Sequence, residues 1–422
     1  MINILEYSDI TFPEDFLWGA STAGQQIEGN NNSFYDDKDI APKFAYGGVP
    51  YQMAGRACNS YEMYKEDIAL LKKMHLNSYR MSLEWSRIEP IEGQFNEKEI
   101  EHYKDVLKEL KKNGIKVCLT LHHNSHPIWF HKLGAFKTMD NLDYFLRYVD
   151  KVVPEFDEYV ECWLIINEMN IVFEYTIEES INLLQYHAKA YHTIKKYSTK
   201  PVSSPMNYAE KKPMRGVTDK PDQIMADYID YIENEFFLHA IRTGEIVVPF
   251  HDAIYMPELK DTCDFWAVNV YTRQLINSRK EMFRFDRYEA SSIHSLDVPF
   301  FSDDICPEVV FHCLNRLKDK PVLITENGIA CKNDKYRVIY IACVLQAVKQ
   351  AMESGVKVLG YLHWSLLDNW EWGTYTPTFG LASVDHETYE RTLKPSGYFY
   401  GEIVENNALT QDIIKKYYSN NI

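Results

Sequence analysis

The sequence predicts an α/β fold, a single (β/α)8 TIM barrel over residues 1–422. Three observations carry this: eight short apolar runs, amphipathic helical stretches between most of them, and no composition break that would mark a linker. The runs are Phe16–Ser21, Asn77–Leu83, Ile115–Leu121, Cys162–Glu168, Pro201–Asn207, Asp264–Val270, Pro321–Asn327 and Val356–Trp364. A parallel pair of strands needs a crossover, which the helical stretches supply. Eight is also the strand number at which such a sheet closes on itself. Helical periodicity is clearest in Tyr61–Met74, Glu97–Lys112, Ser180–Tyr197, Gln223–Arg242 and Tyr336–Glu353. In the first, Tyr64, Ile68, Leu71 and the neighbouring Leu70 share one stripe while Lys and Glu occupy the rest. Asn113–Gly114 and Ser354–Gly355 each stop a helix just ahead of a strand, where the chain needs a left-handed residue. Asp36–Arg56, Lys211–Asp222 and Asn277–Val298 read as loop insertions after strands one, five and six. The first and third are expected to rise over the carboxyl-terminal face of the barrel.

Composition removes several function classes. Apolar residues make up 45% and charged residues 25%, which suits a chain with a large core and excludes disorder or a disulfide miniprotein. Forty-five basic against 61 acidic residues leave a net charge of −16. That balance repels phosphate backbones and anionic lipid, so neither nucleic acid nor membrane is an expected partner. The longest apolar stretches, such as Val356–Leu367, are too short to span a bilayer and carry Lys357 and His363. Met1–Ile10 holds Glu6 and Asp9 with no basic start, so no signal peptide is expected. The eight cysteines are scattered without CxxC spacing and several sit inside apolar runs; they read as reduced core thiols of a cytoplasmic protein. Aromatics at 14% hint at ring-stacking partners, although large cores consume aromatics too.

In a barrel of this kind, residues at the carboxyl ends of the strands converge on one pocket whatever their separation in sequence. The fourth strand ends Ile165-Ile166-Asn167-Glu168 and the seventh ends Leu323-Ile324-Thr325-Glu326-Asn327-Gly328. A carboxylate finishing an apolar strand is costly unless solvated or paired. Two facing one mouth suit acid/base or nucleophilic work; the bland reading is a structural pair bonded to Arg and Tyr. His122, His123 and His126 invite a metal reading, but strand alternation sends neighbouring side chains to opposite faces, and no metal-ligand spacing accompanies them. No metal and no cofactor is expected. No GxGxxG follows an early strand, which leaves a dinucleotide enzyme unsupported.

The words around these carboxylates extend the argument. Asn-Glu after strand four, Thr-Glu-Asn-Gly after strand seven and Trp-Ser-Leu-Leu-Asp-Asn-Trp-Glu-Trp after strand eight resemble the family-1 glycoside hydrolases, the β-glucosidase and β-galactosidase family. The likeness runs from near Phe12 to about Thr410. It takes in Phe16-Leu-Trp-Gly-Ala, Gln26-Ile-Glu-Gly, Tyr79-Arg80-Met-Ser, Glu84-Trp-Ser-Arg-Ile-Glu-Pro90 and Phe379-Gly-Leu. The eighth strand and the closing Asn407-Ala-Leu-Thr look most like archaeal-type β-glycosidases.

The resemblance implies a retaining β-glycosidase acting by double displacement on a small-molecule β-glycoside, β-glucosides and β-galactosides being the substrates in view. It makes Glu326 the nucleophile and Glu168 the general acid/base. It also assigns Arg80, Asn269 and Tyr271 to support of the nucleophile, and Gln26, His123, Asn167, Trp364, Glu371 and Trp372 to the sugar. Arg80 and Tyr271 would favour the charged form of Glu326, and Glu168 would start protonated. Members that cleave 6-phosphorylated sugars generally have a small hydroxyl residue where Glu371 stands, so unphosphorylated glycosides are expected. Four positions depart from the family pattern. Met169 replaces a Pro, which would leave Glu168 less rigidly held; Ile165 replaces a Thr; Asn124 and Gln25 replace aromatics and would make the pocket wall more polar. A transglycosylase using the same intermediate and a non-catalytic sugar-binding barrel are the competing readings. Nothing in the sequence speaks to oligomeric state.

Overall fold

A computed structural model describes residues 3–44, 50–171, 176–249, 251–279 and 306–419. Its centre is one sheet of nine parallel strands: β1 (Leu17–Ser21), β2 (Ser78–Ser82), β3 (Lys116–His122), β4 (Val160–Ile166), β5 (Val202–Ser203), β6 (Pro205–Pro213), β7 (Trp266–Ile276), β8 (Val322–Asn327) and β9 (Val358–Trp364). The spatial order is β5-β4-β3-β2-β1-β9-β8-β7-β6. β5 and β6 are consecutive pieces of the expected fifth strand, parted at Ser204. β5 pairs with β4 and β6 with β7, so this one strand joins both ends of the sheet into a barrel.

Helices cover the wall: α1 (Ser60–Lys73), α2 (Glu97–Lys112), α3 (Leu142–Phe156), α4 (Ile177–Ile194), α5 (Lys220–Asp230), α6 (Phe236–Thr243), α7 (Glu308–Arg316), α8 (Lys335–Glu353), α9 (Pro395–Asn406) and α10 (Gln411–Ser419). α2 shows how the sequence builds one. Asn96 caps it by accepting from Lys98 N at 3.2 Å. Glu97 and Glu99 open it and Lys111 and Lys112 close it, each sign at the end of the helix dipole that favours it. Ile100, Tyr103, Val106, Leu107 and Leu110 form its buried face. Gly114, at φ +73°, ends it, and Gly355, at φ +96°, ends α8 in the same way. Leu107→Ala would cost about 2–5 kcal/mol, the range for an aliphatic side chain lost from a closed core.

Three expectations need correcting. Lys211–Pro213 is strand rather than loop: β6 and β7 pair as far as Ile276 and Pro213, because two long strands can pair above the barrel rim as well as inside it. Lys220–Asp222, expected in the same loop, begins α5 behind an Asp219 cap. The expected helix Gln223–Arg242 is helical throughout, with a π turn at Tyr231–Glu235 that divides it into α5 and α6. The fourth strand ends at Ile166, so Asn167 and Glu168 stand just beyond it. Most of the expected insertion Asn277–Val298 lies outside the described residues.

The barrel interior is layered. Leu17, Cys118, Cys162, Leu164, Phe265, Ala267, Leu323 and Leu362 plug its lower half. Polar side chains occupy the level above. All eight cysteines are buried and unbridged. Among the described residues no helix is long and apolar enough to cross a membrane.

Candidate active site

The polar layer is organised around Arg80 on β2, which is fully buried. Its guanidinium forks between two neighbours: Nη1 donates to Glu326 Oε1, and Nη2 donates to Asn167 Oδ1 at 2.6 Å. Nε reaches Thr120 Oγ1 at 3.2 Å. Tyr271 OH donates to the other oxygen of Glu326, Oε2, at 2.6 Å. Burial pushes the Glu326 carboxyl above its ordinary pKa, while Arg80, Tyr271 and Asn269 pull it back. Donors on both oxygens, one of them a full positive charge, are an arrangement that only the anion uses completely. Glu326 also raises the Tyr271 phenol, after burial.

Asn269, paired in register with Glu326, links the two halves of the site. Its Nδ2 donates to Glu168 Oε1 at 3.0 Å and to Asn167 Oδ1 at 3.1 Å, and its Oδ1 accepts from Thr325 Oγ1 at 2.7 Å. Glu168 stands in the left-handed region at φ +51°, a conformation that side-chain-bearing residues seldom adopt. The turn after it carries Met169 where the family pattern has a Pro, and the next residue, Asn170, is tied to the neighbouring backbone. Asn170 Oδ1 accepts from Asn207 N at 2.9 Å, and its Nδ2 donates to Asn207 O and Glu233 O, each at 2.7 Å.

The opposite wall holds the expected sugar residues. Gln26 Nε2 lies 3.0 Å from Glu371 Oε2, 2.9 Å from Asn369 Oδ1 and 3.0 Å from Trp370 O. Trp364 Nε1 donates to Glu371 Oε1 at 3.2 Å. Burial, with Glu326 adding to it, lifts the Glu371 carboxyl to about 8. Among the described residues, the fully buried Gln26 Oε1 has no hydrogen-bond partner. His123 lies 3.3 Å from Asn167 Nδ2, 3.4 Å from Arg80 Nη2 and 4.0 Å from Glu326 Oε1. Burial, Arg80 and His122 keep its ring neutral. The ring lies nearly parallel to Trp364 and Trp372, with centroids 5.9 and 6.1 Å away.

All eleven residues singled out from the sequence are therefore joined in one network of hydrogen bonds and ring contacts. Sequence reasoning missed Thr120, Thr325 and Asn369, which orient Arg80, Asn269 and Gln26. Thr325 and Asn369 sit inside quoted motifs, so adjacency was an available signal; Thr120 carried none. Of the departures, Asn124 takes φ +60°, which asparagine tolerates better than an aromatic. Gln25 donates to Asp36, 3.2 and 3.3 Å from its two oxygens. His122 and His123 do point apart. His122, His126 and His131 form a line, with successive ring nitrogens 3.3 Å apart, rather than a ring around one point.

The sequence profile described as Glycosyl hydrolase family 1 matches residues 8–409. The chain belongs to glycosyl hydrolase family 1. It is 30% identical to β-glucosidase A of Acetivibrio thermocellus, over 95% of this chain and 100% of that one. It is 29% identical to a β-galactosidase of Saccharolobus solfataricus, over 96% and 97%. Among solved structures, a β-glycosidase from Pyrococcus horikoshii superposes with a TM-score of 0.87 at 32% identity, covering 97% of this chain and 98% of that one. The archaeal likeness read from the eighth strand thus has archaeal counterparts. As a family-1 enzyme the protein is a glycoside hydrolase.

Proposed function

We propose that this family-1 enzyme hydrolyses unphosphorylated β-glucosides and β-galactosides with net retention, through a covalent glycosyl-enzyme. Glu326 attacks the anomeric carbon while Glu168 protonates the leaving oxygen. Glu168 then takes a proton from the water that releases the sugar. The observation that carries this reading is Asn269. One amide donates to Glu168 and also favours the charged form of Glu326, so a single side chain adjoins both carboxyls. Retention works at ~5–5.5 Å, whereas inversion needs ~6.5–9.5 Å to seat a water.

The charges suit the division of labour. Glu326 must be an anion before it can attack, and Arg80 and Tyr271 solvate an anion. Once the glycosyl-enzyme forms, that charge is gone and Glu168 ionises more easily. Asn167 and His123 would meet hydroxyls beside the reacting carbon, and Gln26 Oε1, unpartnered among the described residues, would accept from one. Glu371 would repel a phosphate at that position when ionised and offers it no positive charge when protonated, which supports neutral glycosides. The test is a panel of p-nitrophenyl β-glycosides followed by proton NMR during the first minutes. The β-anomer should appear first and mutarotate later, and 6-phospho-glycosides should be poorer substrates than their neutral counterparts. An initial α-anomer would contradict the mechanism; a preference for the phosphorylated sugar would contradict the substrate class.

A further inference from the structure

The sheet departs from its alternation just before Glu168. Along β4, Trp163 N donates to Pro201 O at 2.9 Å, on the β5 side, so residues 165 and 167 should face the same way. Beyond Ile166 the order is inverted. Asn167 N donates to His122 O of β3 at 2.9 Å, and Glu168 N takes Pro205 O at 2.8 Å. Between Trp163, opposite Val202, and Glu168, bonded to Pro205 O, β4 carries one residue more than β5 and β6. This is a bulge-like insertion at Ile166, of the kind that re-aims a side chain beside an active site, while the register with β3 is kept. Its N–H is received by a side chain, Ser204 Oγ, at 3.3 Å, at the break between β5 and β6.

Ser204 is the first of a buried series. Its Oγ lies 2.8 Å from His187 Nδ1 on α4, and His187 Nε2 lies 3.0 Å from Thr262 Oγ1. Thr262 Oγ1 is 2.8 Å from Leu259 O. A carbonyl only accepts, so Thr262 spends its one hydroxyl proton there and must accept from His187 Nε2–H. Nδ1 is then bare and accepts from the Ser204 hydroxyl, which leaves the Ser204 oxygen to accept from Ile166. All three side chains are fully or almost fully buried. Burial lowers the His187 imidazole to about 4, so it is neutral, as the series requires.

We infer that Ser204 and His187 are positioning residues for the general acid: their directed hydrogen bonds hold the Ile166 bulge and so aim the Glu168 carboxyl at the leaving oxygen. The inference rests on Glu168 being the acid/base. It predicts a chemical signature. Protonation of the leaving group matters little for a good leaving group and greatly for a poor one. A misaimed acid therefore costs rate selectively, whereas a general structural lesion costs all substrates alike.

The experiment compares Ser204→Ala with the parent enzyme on 2,4-dinitrophenyl, p-nitrophenyl and phenyl β-glucosides. For phenyl glucoside kcat/KM should fall about tenfold, part of the ~10²–10⁴-fold that general acid catalysis supplies. For the dinitrophenyl substrate it should stay within about twofold, because that leaving group departs without the proton. Equal losses on all three, or no loss on any, would overturn the inference. Thr262→Val, nearly isosteric, should give the same pattern more weakly, and it decides the question if Ser204→Ala does not fold. Glu168→Ala separates the two levels. If it lacks leaving-group selectivity, the assignment of the acid fails; if it shows selectivity and neither relay variant does, the relay alone fails.

Discussion

The two carboxyls at the centre of the pocket are held in opposite ways. Glu326 belongs to a strand, is 4% exposed, and has its two oxygens fixed by Arg80 from β2 and Tyr271 from β7. Glu168 stands beyond a strand, after a bulge, in a left-handed conformation, with neutral Asn269 against it. A group that must stay ionised until it attacks gains from permanent donors and a fixed positive charge. A group that must give up a proton and take one back would be slowed by them. In this barrel the contrast lies in position and partners: the nucleophile sits within a strand whose register shifts on both of its flanks, and the acid stands past the end of its strand.

The sharpest way to break the comparison is to remove the acid. Glu168→Ala should lose about 10²–10⁴-fold in kcat/KM on phenyl β-glucoside and far less on the dinitrophenyl substrate. Added azide should restore turnover as a β-glycosyl azide, formed on the emptied acid side. An α-azide from this variant would reverse the roles of the two residues.

Removing the fixed charge should act on both stability and rate. Arg80→Ala leaves the Glu326 carboxylate buried without its ion-pair partner, which should destabilise the fold by about 3–5 kcal/mol in urea titration. Activity should fall on every leaving group alike. A leaving-group-selective loss would mean that Arg80 serves Glu168 rather than Glu326.

Gly328 tests how tightly the nucleophile segment is packed. A Cβ there would sit 1.8 Å from Trp364 O, so Gly328→Ala must push β8 and β9 apart. Overpacking of this kind costs about 1–3 kcal/mol and should show in the midpoint of chemical denaturation. A midpoint equal to the parent's would mean that the two segments are looser than drawn.

A further test concerns Glu371, the third carboxyl of the pocket. Its folded pKa of about 8 lies above the ordinary 4.5. Below 4.5 the folded and unfolded chains both keep this proton; between 4.5 and 8 the unfolded chain releases it and the folded chain does not. Its contribution to stability is therefore complete at low pH and is lost as pH rises through that window, by at most about 1.4 kcal/mol per unit. In Glu371→Gln, Tm should decline less steeply with rising pH across the same window. Parallel declines would contradict the raised pKa.

Much of this was legible because the chemistry leaves distinctive words. Strands buried on both faces read as continuous apolar runs, so β1 to β4 and β7 to β9 stood out, and the carboxylates at their ends named the pocket. The fifth strand was harder. Ser203 and Ser204 look like any hydroxyl pair in a strand, and nothing in their identity says that one will part β5 from β6 and receive a displaced amide. Lys211, Lys212 and Pro213 read as loop because charge and proline usually mean solvent; there they extend a strand above the rim. The π turn at Tyr231–Glu235 has no period of its own in the sequence. Thr120 escaped because a threonine inside a strand is ordinary until an arginine is seen against it. Met169 was read as a loss of rigidity, and only the fold revealed the ties of Asn170 to the neighbouring backbone.

The most direct test of the division of labour is Glu326→Gly assayed with azide, the product anomer read by NMR. With the carboxylate gone and its side of the sugar open, hydrolysis should collapse and azide should attack from that face, giving the α-glycosyl azide. Hydrolysis at the parent rate, or a β-azide, would show that Glu326 is not the group that attacks carbon.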